Sequence, residues 1–284
     1  MTYNINKNLD NVVKQRRIII LGSKGMLGQM VSKYYLSVGF NVINFDQRFN
    51  ECNHSNYMKK LNSLPDAFVV NCIGRIKQKS TEPLDLLLTN TILPLELSRK
   101  LKCTHVLVQP STDCVFDGAK DGFYEANHSH NAVDVYGWSK SLGESAISTM
   151  CNSFIIRVSI IGLDENSTKG LLSWFLSNSA NAKINGYSNH FWNGITTLEW
   201  SQKLHEIITS TSRLREVTNI KVLQLGTSLI YSKYEMLKIF QEVFRTNFLI
   251  QPIETEKINR CLKPKILSST LNIQLEELKK FNDK

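Results

Sequence analysis

The chain has 284 residues, 42% of them hydrophobic and 21% charged, with a formal charge of +9 and an isoelectric point near 9.2. That length suits one large α/β domain, alone or with a smaller appendage, and the composition excludes a disordered chain. No apolar run approaches a membrane span, and Met1 to Arg17 lack the apolar core of a secretory signal, so a cytoplasmic location without a membrane partner is expected.

In chain order, residues 1–15 are rich in Asn and Lys and are expected to form a flexible leader. Arg17 to Leu21 reads as a short buried strand ending at Gly22. Met26 to Val38 has helical periodicity, Gly39 stops it, and Phe40 to Phe45 is a second strand, which completes a β-α-β unit. Ala67 to Cys72, His105 to Gln109 and Ser153 to Ile160 continue as strands. Thr89 to Leu101, with Pro94 inside it, and Tyr136 to Thr149 read as helices. This alternation implies a Rossmann-type, doubly wound parallel sheet over residues 16–162. Residues 163–284 are less regular and read mostly as a substrate-binding region. Within them lies a helix from Leu198 to Ser210, and 221–246 return a strand and a helix to the core.

The six cysteines, Cys52, Cys72, Cys103, Cys114, Cys151 and Cys261, are scattered without a C-x-x-C pair, which argues for reduced thiols and against a metal site. The basic charge suits an anionic partner. Lys and Arg are spread along the whole chain without a basic block, so a nucleotide fits better than a nucleic acid.

Three groups of residues carry chemistry. Gly22-Ser23-Lys24-Gly25-Met26-Leu27-Gly28 follows a strand and opens a helix, the context in which a backbone turn meets a dinucleotide pyrophosphate. Asp46, 18 residues after Gly28, is placed to bond a ribose hydroxyl, and Arg48 is placed to hold a 2′-phosphate. The two signals pull in opposite directions, so NADPH is expected and NADH admitted. Tyr136 and Lys140, four apart near a helix start, share one face. An ammonium there favours the phenolate and brings the phenol nearer working pH. Thr112, at the carboxyl end of a strand, is placed to bond the same carbonyl oxygen.

With these motifs, Asn90, Ser111 to Gly118, Tyr136-Gly137-x-Ser139-Lys140 with Gly143-Glu144, and Arg157-x-Ser159, the chain resembles the dTDP-4-dehydrorhamnose reductase family of extended short-chain dehydrogenase/reductases. The resemblance covers roughly residues 16–260. It implies reduction of a C4 ketone on a nucleotide-linked 6-deoxy sugar, with Thr112, Tyr136 and Lys140 as the triad. It extends the cofactor site to Cys72, Ile73, Gly74 and Asn90 and admits a homodimer.

The family usually has tyrosine where this chain has Cys114. Cysteine there is similar to bifunctional 3,5-epimerase/4-reductases and to a branch acting on UDP-acetamido-deoxyhexuloses. That branch shares Ile156 to Gly162, Gly170 to Leu176 and Asn193 to Leu198, and points toward UDP-L-rhamnosamine. A Cys114 thiolate would remove a C3 proton while Lys183 returns one, which requires a depressed thiol pKa. Asp113, Val115, Phe116, Arg157, Asn189 and Trp192 are the candidate substrate contacts, with Trp192 able to stack on a base. His190 reads as a hydrogen-bonded loop histidine. The rivals are a monofunctional dTDP-4-dehydrorhamnose reductase and a non-catalytic dinucleotide-binding subunit.

Overall fold

The computed structural model describes residues 2–80 and 82–283, with side-chain surroundings from residue 9 onward. Seven strands form the central sheet: β1 (Arg17–Leu21), β2 (Asn41–Phe45), β3 (Phe68–Asn71), β4 (Val106–Ser111), β5 (Ser153–Arg157), β6 (Val222–Thr227) and β7 (Ile266–Ser268). All neighbours are parallel, in the order β7-β6-β5-β4-β3-β1-β2. The chain leaves β1 toward β2 on one side and resumes at β3 on the other, so a switch point opens between β1 and β3. Ligands bind at the carboxyl ends of strands at such a point.

The strands are apolar on both faces because helices cover both. Ile18, Ile20, Phe68, Val70, Val106, Val108, Phe154 and Ile156 point into one core, with Val31 and Tyr35 of helix Met26–Ser37 and Trp200 and Leu204 of helix Thr197–Ile208. The alternate residues Ile19, Leu21, Val69, Leu107 and Ile155 meet Tyr57, Leu61, Leu93, Leu97 and Ile147 on the other face. A third core gathers Leu172, Phe175, Trp192, Met236, Phe240 and Leu275 from the C-terminal segments.

The expected flexible leader is instead the helix Thr2–Gln15. Leu9 and Val12 are 1% and 0% exposed in the first core, and Arg215 bonds Asp10 at 2.9 Å. The residues Leu9, Val12 and Val13 are an i, i+3, i+4 stripe, and that stripe outweighs the Asn-rich composition around it. The helix expected from Thr89 begins earlier, at Pro83, and passes through a wide π-helical stretch at Leu88–Ile92 before Leu93–Lys100. Helices His54–Asn62, Thr211–Ile220 and Leu271–Asn282 had no clear sequence signal.

Candidate active site

A cleft of about 370 Å³ lies at the switch point, lined by the turns that leave β1, β2 and β3. Gly22, Lys24, Gly25, Asp46, Arg48, Cys72, Ile73 and Gly74 of the sequence-derived set line it. Gln47, Asn50, Arg75, Lys79, Asp85 and Thr89 also line it and had not been singled out, although their place after β2 and β3 was a usable signal. Ser23 donates to Asp46 Oδ1 at 2.6 Å, and Lys24 Nζ lies 3.6 Å from Oδ2, so Asp46 is fixed from the glycine turn. The helix starting at Met26 has no side-chain cap, which leaves its first N–H groups for a ligand oxygen.

Gly28 is buried and does not line the cleft; a Cβ there would stand 2.2 Å from the Gly22 carbonyl oxygen, so its role is close packing of the helix on the turn. Met26 and Leu27 are likewise outside the lining. Asn90 departs from its expected cofactor contact. It accepts from Arg75 N at 3.0 Å and donates to Arg75 O at 2.9 Å and Ser139 Oγ at 3.0 Å. With those ends spent internally, Asn90 ties the cleft wall to the helix that carries Tyr136.

That helix, Val135–Ser148, starts where the Asp134 carboxylate accepts from Gly137 N at 2.8 Å. It presses on the turn after β4: a Cβ at Gly137 would meet the Cys114 carbonyl oxygen at 2.2 Å. Thr112 caps the short turn Asp113–Val115, accepting from Cys114 N at 3.2 Å and donating to Asp113 Oδ1 at 3.0 Å. Thr112 also lies near enough to the Tyr136 phenol to act on it, so the two groups share one site.

The electrostatics differ from that argument. Burial first, then the neighbouring Cys114, Asp113 and Asp134, hold the Tyr136 phenol well above its ordinary value. Lys140 donates to the Pro110 carbonyl at 2.9 Å, and burial lowers its ammonium to about 8 against the pull of Glu144 and Cys72. Tyr136 therefore keeps its proton at neutral pH, the state a proton donor needs. Lys140 links this cluster to Cys72 in the cleft wall.

Burial and the Asp113 charge push the Cys114 thiol up to about 12, against Arg260 and Thr112, the opposite of what a C3 base requires. Lys183 is exposed at the start of strand Lys183–Tyr187, which pairs with Leu249–Ile253. The cations whose charge acts around Cys114 are Arg260 and Lys233.

Five candidate substrate contacts have their side chains taken up within the fold. Arg157 is 1% exposed; it bonds Glu144 at 3.1 and 2.6 Å and Gln224 at 3.0 Å, and meets His130 at 2.8 Å. Val115 and Phe116 are fully buried with Tyr124 and Leu262, and Phe116 stacks on Tyr124 at 4.3 Å. Asn189 spends both ends of its amide on the Thr255 backbone. Trp192 is 2% exposed in the third core, which leaves no face free for a base. His190 is the hydrogen-bonded loop histidine that was expected, meeting Thr255 Oγ1 at 2.8 Å.

The architecture is a Rossmann-type, doubly wound parallel sheet. The chain belongs to the family described as RmlD substrate binding domain, which it matches over residues 16–280. No curated protein matches it. Among solved structures it is similar to a dTDP-4-dehydrorhamnose reductase from Bacillus anthracis in complex with NADP, at 16% identity and a TM-score of 0.77, covering 93% of this chain and 97% of that one. A dTDP-4-dehydrorhamnose reductase ortholog from Clostridium acetobutylicum matches at 19% identity and 0.73, over 94% and 98%. The Bordetella bronchiseptica enzyme WbmG in complex with NAD and UDP matches at 12% and 0.74, over 94% of each chain. At these identities the likeness speaks for the fold.

Proposed function

We propose that this chain is an NADPH-dependent reductase of the C4 ketone of a nucleotide-linked 4-keto-6-deoxy-L-hexose. The observation that carries the reading is a buried, protonated Tyr136 beside Thr112 at the end of β4, with Lys140 one turn on in the same helix and in the field of Cys72 of the cleft wall. The uncapped helix start at Gly25 and the glycine turn fit a pyrophosphate, and Asp46 with Arg48 fits the ribose end. When bound, the reduced dinucleotide supplies the hydride. Tyr136 gives its proton to the carbonyl oxygen as charge builds there, and Thr112 holds that oxygen in line. The ammonium of Lys140, one helical turn away, stabilises the phenolate that Tyr136 leaves behind. Residues 16–162 serve the dinucleotide in this reading, and 163–284 mostly the substrate.

A UDP carrier and a 2-acetamido group, as in UDP-L-rhamnosamine synthesis, are the finer form of the proposal, supported by the motif resemblance and by the UDP in the similar WbmG structure. Prior C3 epimerisation by Cys114 and Lys183 has less support, since the thiol is held protonated and Lys183 is exposed. Tyr136→Phe tests the reading. With NADPH and a UDP-2-acetamido-4-keto-6-deoxyhexose, kcat is expected to fall about 10²- to 10⁴-fold while NADPH binding persists. Equal turnover by the variant, or no C4 carbinol by NMR from the UDP and dTDP ketosugars, overturns it. Deuterium at C3 of product formed in D2O restores the epimerase step.

A further inference from the structure

We propose that Asn71 and Gln109 are positioning residues for Lys140. Their side-chain amides form a buried relay along the carboxyl ends of β3 and β4, and the relay fixes the Pro110 carbonyl that receives the Lys140 ammonium. The proposal deepens the reductase reading and rests on it for the part Lys140 plays in turnover.

The relay starts where backbone pairing stops. β3 and β4 are in register as far as Val70 and Val108, and the next residues are Asn71 and Gln109. A bond between side chains continues the join there, with Asn71 Nδ2 donating to Gln109 Oε1 at 2.9 Å. Gln109 Nε2 donates to the Pro110 carbonyl at 3.1 Å, and Lys140 Nζ donates to that same oxygen at 2.9 Å. On its other side Asn71 pairs with Leu21 of β1, one residue before the glycine turn, and Cys72 beside it lines the dinucleotide cleft. The bonds therefore run from the cleft wall to the helix of Tyr136 through the interior, since Asn71 is 1% exposed and Gln109 3%.

The Lys140 end dictates how both amides are turned. A carbonyl oxygen only accepts, so Gln109 must present its NH2 group to Pro110 and its oxygen to Asn71, and Asn71 must answer with its own NH2. That leaves Asn71 Oδ1 buried with no partner among the described residues. An unpartnered buried acceptor is destabilising. Packing alone would be served by apolar side chains such as Val69 and Leu107, which lie two residues earlier on the same face. Pro110 adds stiffness, because its ring fixes φ and narrows the conformations open to Gln109. The carbonyl is thus aimed by β3 and β4, not by the ammonium it receives.

The other groups around Lys140 leave that carbonyl a clear task. Tyr136 and Glu144 flank it by one helical turn each, and Cys72 meets it from the end of β3. The Glu144 carboxylate is already paired with Arg157 at 2.6 Å, which spends much of its charge. Burial works against the ammonium, and a hydrogen bond to the charged form works for it.

The test follows Lys140 itself, by NMR of the full chain labelled with carbon-13 at lysine Cε, with Lys140→Met identifying its signal. Gln109→Met, which cannot hold the carbonyl, is expected to lower the titration midpoint of Lys140 by about one pH unit. Gln109→Glu places a carboxylate beside the ammonium and should raise it by about one to three. Asn71→Leu releases only the far end and should lower it less than Gln109→Met; this variant carries the test if the Gln109 variants do not fold. In turnover the basic limb of kcat should move with each midpoint. NADPH affinity should hold, since neither side chain lines the cleft. An unmoved midpoint in folded variants, or a shift of the same sign for Gln109→Met and Gln109→Glu, overturns the relay. Shifted midpoints in a protein that reduces no ketosugar keep the relay and remove the reductase reading. Turnover with unmoved midpoints does the reverse.

Discussion

On the dinucleotide side, the cleft is lined by turns that leave neighbouring strands, and much of its chemistry comes from backbone groups at Gly22 and Gly25. Around Thr112 and Tyr136, the surroundings come from separate segments of the chain. These segments are held by long-range bonds such as Arg260 to Phe116, 144 residues apart, and Asn193 to Leu262, 69 apart. The first kind of site is written in local spacing. The second exists only once the C-terminal segments have packed on the sheet, so it should be the more sensitive to changes in buried polar groups.

Arg157 gives the largest expected effect. Its guanidinium joins β5 to Glu144 of the Tyr136 helix, to Gln224 of β6 and, 5.1 Å over its ring, to Phe116. Arg157→Met leaves the Glu144 carboxylate buried without its partner, at a cost of about 3–5 kcal/mol. Denaturant unfolding should show that loss, and Arg157→Met with Glu144→Gln should recover much of it. A variant of unchanged stability with a raised KM alone would return Arg157 to the role of substrate contact.

Gly137 sharpens the comparison at the junction of the two sides. Ala there puts a methyl 2.2 Å from the Cys114 carbonyl and 2.6 Å from Ala132 Cβ. The helix must retreat, with overpacking of about 1–3 kcal/mol. Tyr136 moves with it, so kcat should drop more than NADPH affinity. Equal losses in both would mean that the helix and the cleft wall shift as one body.

The pattern of what was legible follows from the same contrast. Tyr136 and Lys140 share a face by helical spacing alone, and the glycine turn was read from three residues after a strand. Arg157 was misread because its partners lie 13, 27 and 67 residues away, and an arginine at a strand end gives no sign of whether it faces ligand or core. The Tyr136 phenol was assigned the wrong direction because spacing located a cation but not the burial around both groups.

Lys140 yields a smaller, pH-dependent effect. With its ammonium at about 8, kcat should decline as pH rises through that value and the charge beside Tyr136 is lost. Stability runs the other way. The folded value lies below the ordinary 10.5, so between about 8 and 10.5 the unfolded chain holds a proton that the folded chain has released. The contribution of this group to stability therefore rises with pH across that window, and its penalty is fully present below it. Lys140→Met should flatten both trends, as read from kcat and from urea midpoints at each pH.

The smallest effect separates the two contributions of the N-terminal helix. Asp10 and Arg215 are 40% and 42% exposed, so their 2.9 Å bridge is screened and worth about 0–1 kcal/mol. Asp10→Ala should barely move the urea midpoint, and added salt should erase what difference there is. Leu9, at 1% exposure, is the stronger anchor, and Leu9→Ala should cost about 2–5 kcal/mol. If the two variants prove equally mild, the helix is docked too weakly to count as part of the first core. If Leu9→Ala alone lowers stability while NADPH affinity holds, the helix belongs to the dinucleotide half as a brace remote from its ligand.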